Sequence, residues 1–216
     1  MSLLHLDSSA NRSGESVSRR LTARFARGWR HRYGTAGYRY RDLAADPVSP
    51  PGTGYCTLGR RIERHGGVPL DRVTDLIENA DEAAEWASTR PLLDELLAAD
   101  TVLIGAPMYN LSVPAALKCW IDRVSFPGVR LPDTRVVVLG ARGGAYGPGT
   151  PQQGNDFHTH YLRAWLARRG VRPEHVQVVN AELTLAHLVP HLAPLRGQAD
   201  RSLHDAVVHT DEAVAD

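Results

Sequence analysis

Lysine is nearly absent from this chain: Lys118 stands alone among 25 basic residues, and arginine supplies the rest. No Gly-x-x-x-x-Gly-Lys-Ser/Thr run occurs, which disfavours an ordinary phosphate-loop NTPase. Cysteine is scarce too. Cys56 and Cys119 lack Cys-x-x-Cys spacing, so neither a disulfide framework nor a redox dithiol is indicated. No segment approaches the roughly 18 consecutive apolar residues of a membrane span. Residues 1–9 carry Asp7 and no basic stretch ahead of a long apolar run, which argues against a secretory signal. These absences leave a cytoplasmic enzyme with no membrane partner as the simplest expectation.

A chain of 216 residues buries roughly 70% of its extended surface, so one domain over 1–216 has a complete core without a metal or disulfide staple. Charge is unevenly placed. Residues 1–64 hold twelve arginines against five acidic residues, and the remainder holds thirteen basic against nineteen acidic. This asymmetry favours anionic ligands or subunit docking, or it is a solvated helix surface. Without interleaved aromatics or a nucleic-acid module, nucleic acid is not an expected partner.

Leu3 to Asp7 is a short apolar-rich run. From Ser16, the residues Val17, Leu21, Phe25 and Trp29 recur four apart, which predicts an amphipathic helix ending near Tyr33-Gly34. Tyr38 to Leu43 reads as a second strand. Asp46 to Pro69, rich in proline and glycine, reads as a loop or excursion with room for a short helix around 59–65. It serves as a lid, a dimer element or a disordered stretch. Leu70 to Glu85 and Pro91 to Ala98 read as two helical pieces, bent or interrupted at Pro91. Thr101 to Ala106, Arg135 to Leu139 and Val176 to Val179 are apolar strands. Pro114 opens a helix, and 157–169 and 195–214 are helical. Apolar strands alternating with helices imply a parallel sheet covered on both faces. Strands at 3–7, 38–43, 101–106, 135–139 and 176–179 predict an α/β, flavodoxin-like three-layer sandwich with a five-stranded parallel sheet. Its ligands sit beyond the carboxyl ends of the strands, near the reversal of strand order.

Three loops lie there. In Ser8 to Ser18, serines at 9, 13, 16 and 18 precede or open a helix, a setting that receives a phosphate through hydroxyls and N–H groups or simply caps the helix. No Gly-x-Gly-x-x-Gly run is present in this loop, which argues against a dinucleotide fingerprint. In Pro107-Met108-Tyr109-Asn110, the Met and Tyr side chains suit a flat ring and Asn110 suits its polar edge, or the segment packs on itself and turns. In Gly140-Ala141-Arg142-Gly143-Gly144-Ala145-Tyr146-Gly147, adjacent glycines permit close backbone approach to a planar ligand. Arg142 faces ligand, substrate or an internal partner. The bland alternative is a glycine-rich surface turn.

In this order, Ser9, Ser16-Val17-Ser18, Pro107-Met108-Tyr109-Asn110 and Arg142-Gly143-Gly144 resemble the FMN-dependent NADH-azoreductase family, related to the dimeric quinone reductases. The resemblance extends through Arg41-Asp42-Leu43, Leu117-Lys118 and Tyr161-Leu162. It implies that Ser9, Ser16 and Ser18 hold the phosphate of FMN, with Val17 contributing through its backbone. Pro107, Met108, Tyr109, Asn110 and Leu111 match the ring-binding segment, and Gly140, Arg142, Gly143 and Gly144 the second ring-side loop. It further implies NADH or NADPH as donor, a small aromatic quinone or azo acceptor, and a homodimer whose subunits complete each other's sites. Tyr109 and Tyr146 are candidate proton or substrate contacts, and no side chain is required as a nucleophile.

Two departures bear on the acceptor. The segment from Phe126 to Asp133 is short where relatives commonly carry aromatics over the flavin, and Arg168-Arg169 replaces a more apolar stretch, although Trp165 keeps an aromatic nearby. A shorter, more basic rim opens the pocket or favours an anionic acceptor. The alternatives are a specialised biosynthetic reductase of a polycyclic or nitrogen-containing aromatic metabolite, or an FMN electron carrier without enzymatic activity. His158 and His160, with Asp156 nearby, have no third-and-fourth-ligand pattern, so no metal is expected.

Overall fold

The two-residue period of the strands divides the core into two faces. In the computed structural model, which describes residues 1–215, β1 (Leu3–Asp7), β2 (Tyr38–Asp42), β3 (Thr101–Pro107), β4 (Arg135–Ala141) and β5 (Val176–Ala181) form one parallel sheet. Its order is β2-β1-β3-β4-β5. Leu3, Leu103, Val137 and Leu139 point to one side, where Leu21, Phe25 and Trp29 of α1 (Val17–Tyr33) and Ala206 and Ala213 of α6 (Arg196–Ala215) cover them. Leu4, Leu6, Val102, Ile104, Val136 and Val138 point to the other, beneath α2 (Thr53–Arg64), α3 (Ala80–Leu97), α4 (Ala115–Val124) and α5 (Phe157–Arg168). The flavodoxin-like three-layer sandwich expected from the pattern is the fold observed. No described helix is long and apolar enough to cross a membrane.

Two expectations are corrected. Half of the 46–69 excursion is a helix, α2, which is longer than the short one expected around 59–65 and has Leu58 and Ile62 fully buried in the core. Its glycines disguise it, yet Gly54 has a packing reason: a Cβ there would lie 2.8 Å from the carbonyl of Asp81. The preceding segment is held by the buried Arg123, whose Nε donates to the Ser49 carbonyl at 2.8 Å and Nη2 to that of Pro50 at 3.1 Å. Pro91 does not divide its region into two helices either. α3 runs through it, preceded by a 3-10 turn at Leu70–Leu76. Pro91 and Ala87, whose carbonyl loses its helical donor, are both exposed, so water can serve that carbonyl.

Because the strands are parallel, every loop that follows a strand lies at one pole and every loop that precedes one lies at the other. The segments after β1, β3 and β4 share the carboxyl pole. Phe126 to Asp133 and Arg168-Arg169 lie at the amino pole, joined where the Leu131 N–H donates to the Arg169 carbonyl at 2.8 Å. The 126–133 segment therefore lies away from the carboxyl-pole loops of its own chain.

Proline inside a helix costs up to about 3 kcal/mol relative to alanine, so Pro91→Ala is expected to stabilise the protein by about 1–3 kcal/mol in urea unfolding. An unchanged or lower midpoint would show that the proline geometry is needed to seat Leu92 and Leu93.

Candidate functional site

The order of the sheet reverses between β1 and β3, and the loops after them meet there. Ser9, Ser16 and Ser18 are all buried, with the Ser16 Oγ 3.0 Å from Ser9 Oγ and 3.4 Å from Ser18 Oγ. Ser16 precedes α1 but its side chain does not cap it, and among the described residues the N–H groups of Val17 and Ser18 have no acceptor. An uncapped helix start beside three converging hydroxyls is built to receive an anion. Ser13 stays outside the cluster, using its Oγ to accept from the Glu15 N–H at 3.3 Å.

Behind this cluster is a charged network that the sequence did not single out. Arg19 donates through Nη2 to the Ser9 carbonyl at 2.8 Å and to Asp42 Oδ1 at 2.7 Å, and through Nη1 to Asp42 Oδ2 at 2.9 Å. Asp7, at the end of β1, accepts from Thr22 Oγ1 at 2.8 Å and from the Tyr40 hydroxyl at 3.0 Å. Burial pushes the Asp42 carboxyl up, but the Arg19 bond and the N–H groups of Ala44 and Ala45 outweigh it and hold the carboxyl at about 2. The available signal was Arg19 at the first turn of α1 and Asp42 at the end of β2, two opposite charges at one pole.

After β3, Met108 is fixed by its N–H to the Ala141 carbonyl at 2.8 Å, and Tyr109 and Ser112 exchange backbone bonds at 2.9 and 3.0 Å. Between them Asn110 and Leu111 have φ of 47° and 70°. Asparagine tolerates this left-handed geometry, whereas leucine is strained in it. The turn tips Tyr109 toward the serines, its hydroxyl 3.4 Å from Ser9 Oγ and accepting from the Ala10 N–H at 3.2 Å. Pro107 ends β3.

The third loop is anchored from behind. Arg142 is buried and turned inward, with Asp156 at 3.0 Å, Glu182 at 3.2 Å and a short bond to Thr159 Oγ1. Its N–H donates to Ala181 and its carbonyl accepts from Thr184, so its polar groups are committed within the protein apart from a buried, unpartnered Nε. Of the three orientations open to it, the internal one is found. Gly140 lies within β4 against Asn180, Gly143 against Leu185 and Gly144 against Tyr146. Glu182 also accepts from the Tyr146 N–H at 2.9 Å, fixing the loop that presents that ring.

His158 is fully buried beside Arg142, and neither ring nitrogen has a hydrogen-bond partner. Burial, then the charge of Arg142, push it down to about 4, against Asp156 and the Ala106 backbone, which lies outside good hydrogen-bond geometry. His160 bonds through Nδ1 to the Asp156 carbonyl at 2.6 Å. Among the described residues, no three His, Cys, Asp or Glu side chains converge as a metal site.

A family model for the flavodoxin-like fold matches residues 1–188. The FMN-dependent NADH:quinone oxidoreductase of Nocardia farcinica is 45% identical over 205 residues, covering 95% of this chain and 94% of that protein. The chain belongs to this family. Its namesake from Streptomyces coelicolor is 34% identical over 97% of this chain and 94% of its own length. Among solved structures, an FMN-dependent NADH-azoreductase from Bacillus anthracis in complex with FMN superimposes with a TM-score of 0.75, covering all of this chain and 98% of that one, at 18% identity. That likeness establishes the fold. As a member of this oxidoreductase family the chain is an enzyme.

The folded His158 takes its proton only near pH 4, while the unfolded one does so near its ordinary value of about 6.5. The unfolded state therefore binds more protons between these values, and stability falls as pH drops through that window. His158→Leu is expected to flatten this decline when urea unfolding is compared at pH 7, 5.5 and 4; equal slopes in the two proteins would refute it.

Proposed function

We propose that this protein uses FMN to pass two electrons, in a ping-pong cycle, from NADH or NADPH to a quinone, azo or related small aromatic acceptor. The observation that carries the reading is the uncapped start of α1, where the N–H groups of Val17 and Ser18 lack acceptors among the described residues and the buried hydroxyls of Ser9, Ser16 and Ser18 converge. Those hydroxyls and N–H groups fit a terminal monophosphate, which needs several short donors rather than a lysine. Bound there, FMN would accept two electrons from the nicotinamide and release them to the second substrate.

The chain's own groups bind, orient and exclude water. Met108, Tyr109, Asn110 and Leu111 form the ledge for the ring, with Pro107 closing the strand beneath it. Gly140, Gly143 and Gly144 keep the opposite loop low, and Arg142 positions that loop through Asp156 and Glu182. Tyr109 and Tyr146 are the hydroxyl-bearing rings at the mouth, available for proton or substrate contact. Tyr109, Phe157, Leu185 and Leu188 expose apolar surface at this pole. That surface supports a homodimer in which each subunit covers the other's site.

Purification with identification of released flavin, NADH and NADPH oxidation with menadione and an azo dye, and a measured oligomeric mass test the reading together. The expected outcome is FMN, turnover with at least one acceptor, and a dimer; failure to bind FMN after reconstitution would sink it. Replacing both Ser16 and Ser18 by alanine is expected to weaken FMN binding by roughly 1–4 kcal/mol, and unchanged affinity would remove the phosphate assignment.

A further inference from the structure

The two edges of the sheet are built differently. β2, at one edge, carries Arg39, Arg41 and Asp42, charges of the kind that discourage a further strand from pairing. β5, at the other, reads Val-Gln-Val-Val-Asn-Ala, without charge or proline and in unbroken register with β4 from Val136↔Val176 to Ala141↔Ala181. Sheets rarely leave such an edge unguarded. The Arg142 N–H donates to the Ala181 carbonyl, so Gln177, Val179 and Ala181 turn their backbone groups to β4 while Val178 and Asn180 turn theirs outward. The next outward N–H, that of Glu182, donates to Ser202 Oγ at 2.9 Å. Among the described residues, the backbone N–H and C=O groups of Val178 and Asn180 have no partner, and the Asn180 Oδ1 is buried without one.

This bare edge is the floor of a groove of about 910 Å³. Thr159, His160 and Arg163 of α5 form one wall, and Arg201, Asp205 and His209 of α6 form the other. Its carboxyl end is closed by the loop after β4, where Asp156 and Glu182 are held by Arg142. The walls differ in charge. On the α5 side the exposed Arg163 guanidinium has neither an ion pair nor a hydrogen bond among the described residues, and no unpaired carboxylate stands beside it. The α6 side presents both signs. Arg168 lies on another flank of α5, about 140° round the helix from Arg163, and β5 is three strands, about 14 Å, from β1. The groove is thus a lateral feature of the sheet.

An extended chain laid along β5 would offer main-chain groups to Val178 and Asn180, and its alternate side chains would face α5 and α6 in turn. We propose that the β5 edge docks an extended segment of a partner protein, which adds a sixth strand to the sheet with acidic side chains toward Arg163 and His160 and small polar ones toward α6. The proposal does not rest on the flavin reading.

Titration of a fluorescently labelled hexapeptide, Thr-Glu-Thr-Glu-Thr-Glu with blocked ends, with the FMN-saturated protein tests it by anisotropy. Six residues match the length of β5. Saturable binding of one peptide per chain is expected, weakened at least tenfold by Arg163→Gln and by lysine in place of glutamate in the peptide. A peptide N-methylated at its four central residues keeps its charge but loses main-chain donors, and it should also bind at least tenfold more weakly. Flavin content should be the same in Arg163→Gln. No saturable binding up to about 1 mM protein, or equal affinity for the N-methylated peptide or in Arg163→Gln, would overturn the proposal. A fall in oligomeric mass on peptide binding would show that a second copy of this chain occupies the edge, and would overturn it too.

Discussion

The guanidinium of Arg19 is the contact on which the carboxyl pole depends. It reaches the Ser9 carbonyl, Asp42 and, at 3.5 Å, Asp7, so one side chain of α1 joins the loop after β1 to the ends of the first two strands. Without it, two carboxylates would face each other across the edge of the sheet, and the loop that orders Ser9 and Ser16 would lose its support. Such shielded pairs contribute geometry more dependably than net stability, because desolvation offsets much of their attraction. Here the geometry matters: the serine hydroxyls converge because the backbone beneath them is held from below.

The opposite side of the pole uses the same device, a guanidinium held between two carboxylates. Arg142 comes from the loop after β4, and its carboxylates come from the start of α5 and the end of β5. A glycine-rich loop has little side-chain packing of its own, so a buried ion cluster sets its height above the sheet. The residue that most resembled a ligand contact is thus turned away from the ligand space, while Gly143 and Gly144 remain at the surface layer. Positive charge near the site belongs to the scaffold.

The sheet was legible in the sequence because buried parallel strands read as compact apolar runs, and β3 and β4 are nearly pure examples. α1 was legible from Val17, Leu21, Phe25 and Trp29. α2 was not, because its glycines serve close approach to α3 and lower helix propensity, leaving Leu58 and Ile62 as the only strong period. Pro91 misled for a different reason: the rule against proline inside a helix assumes a buried or bonded carbonyl one turn back, and Ala87 faces water. The three loops were legible by composition and order. The partners of Arg19 and Arg142 were not, since residues 10 to 40 positions apart meet only after the strands are laid side by side. The pole occupied by 126–133 was readable in principle from chain direction, which follows once the sheet is parallel.

Asn110 and Leu111 put two successive left-handed residues at the tip of the loop after β3, and the second has a branched side chain that disfavours the shape. A glycine would relax the backbone there, but it would also remove the apolar surface that the loop extends over the crevice. The turn is therefore a place where folding and recognition make opposed demands on one residue. Position 111 is constrained from both sides: a residue that eases the chain surrenders the ledge, and a β-branched residue, which would keep apolar surface there, makes the left-handed turn harder to close.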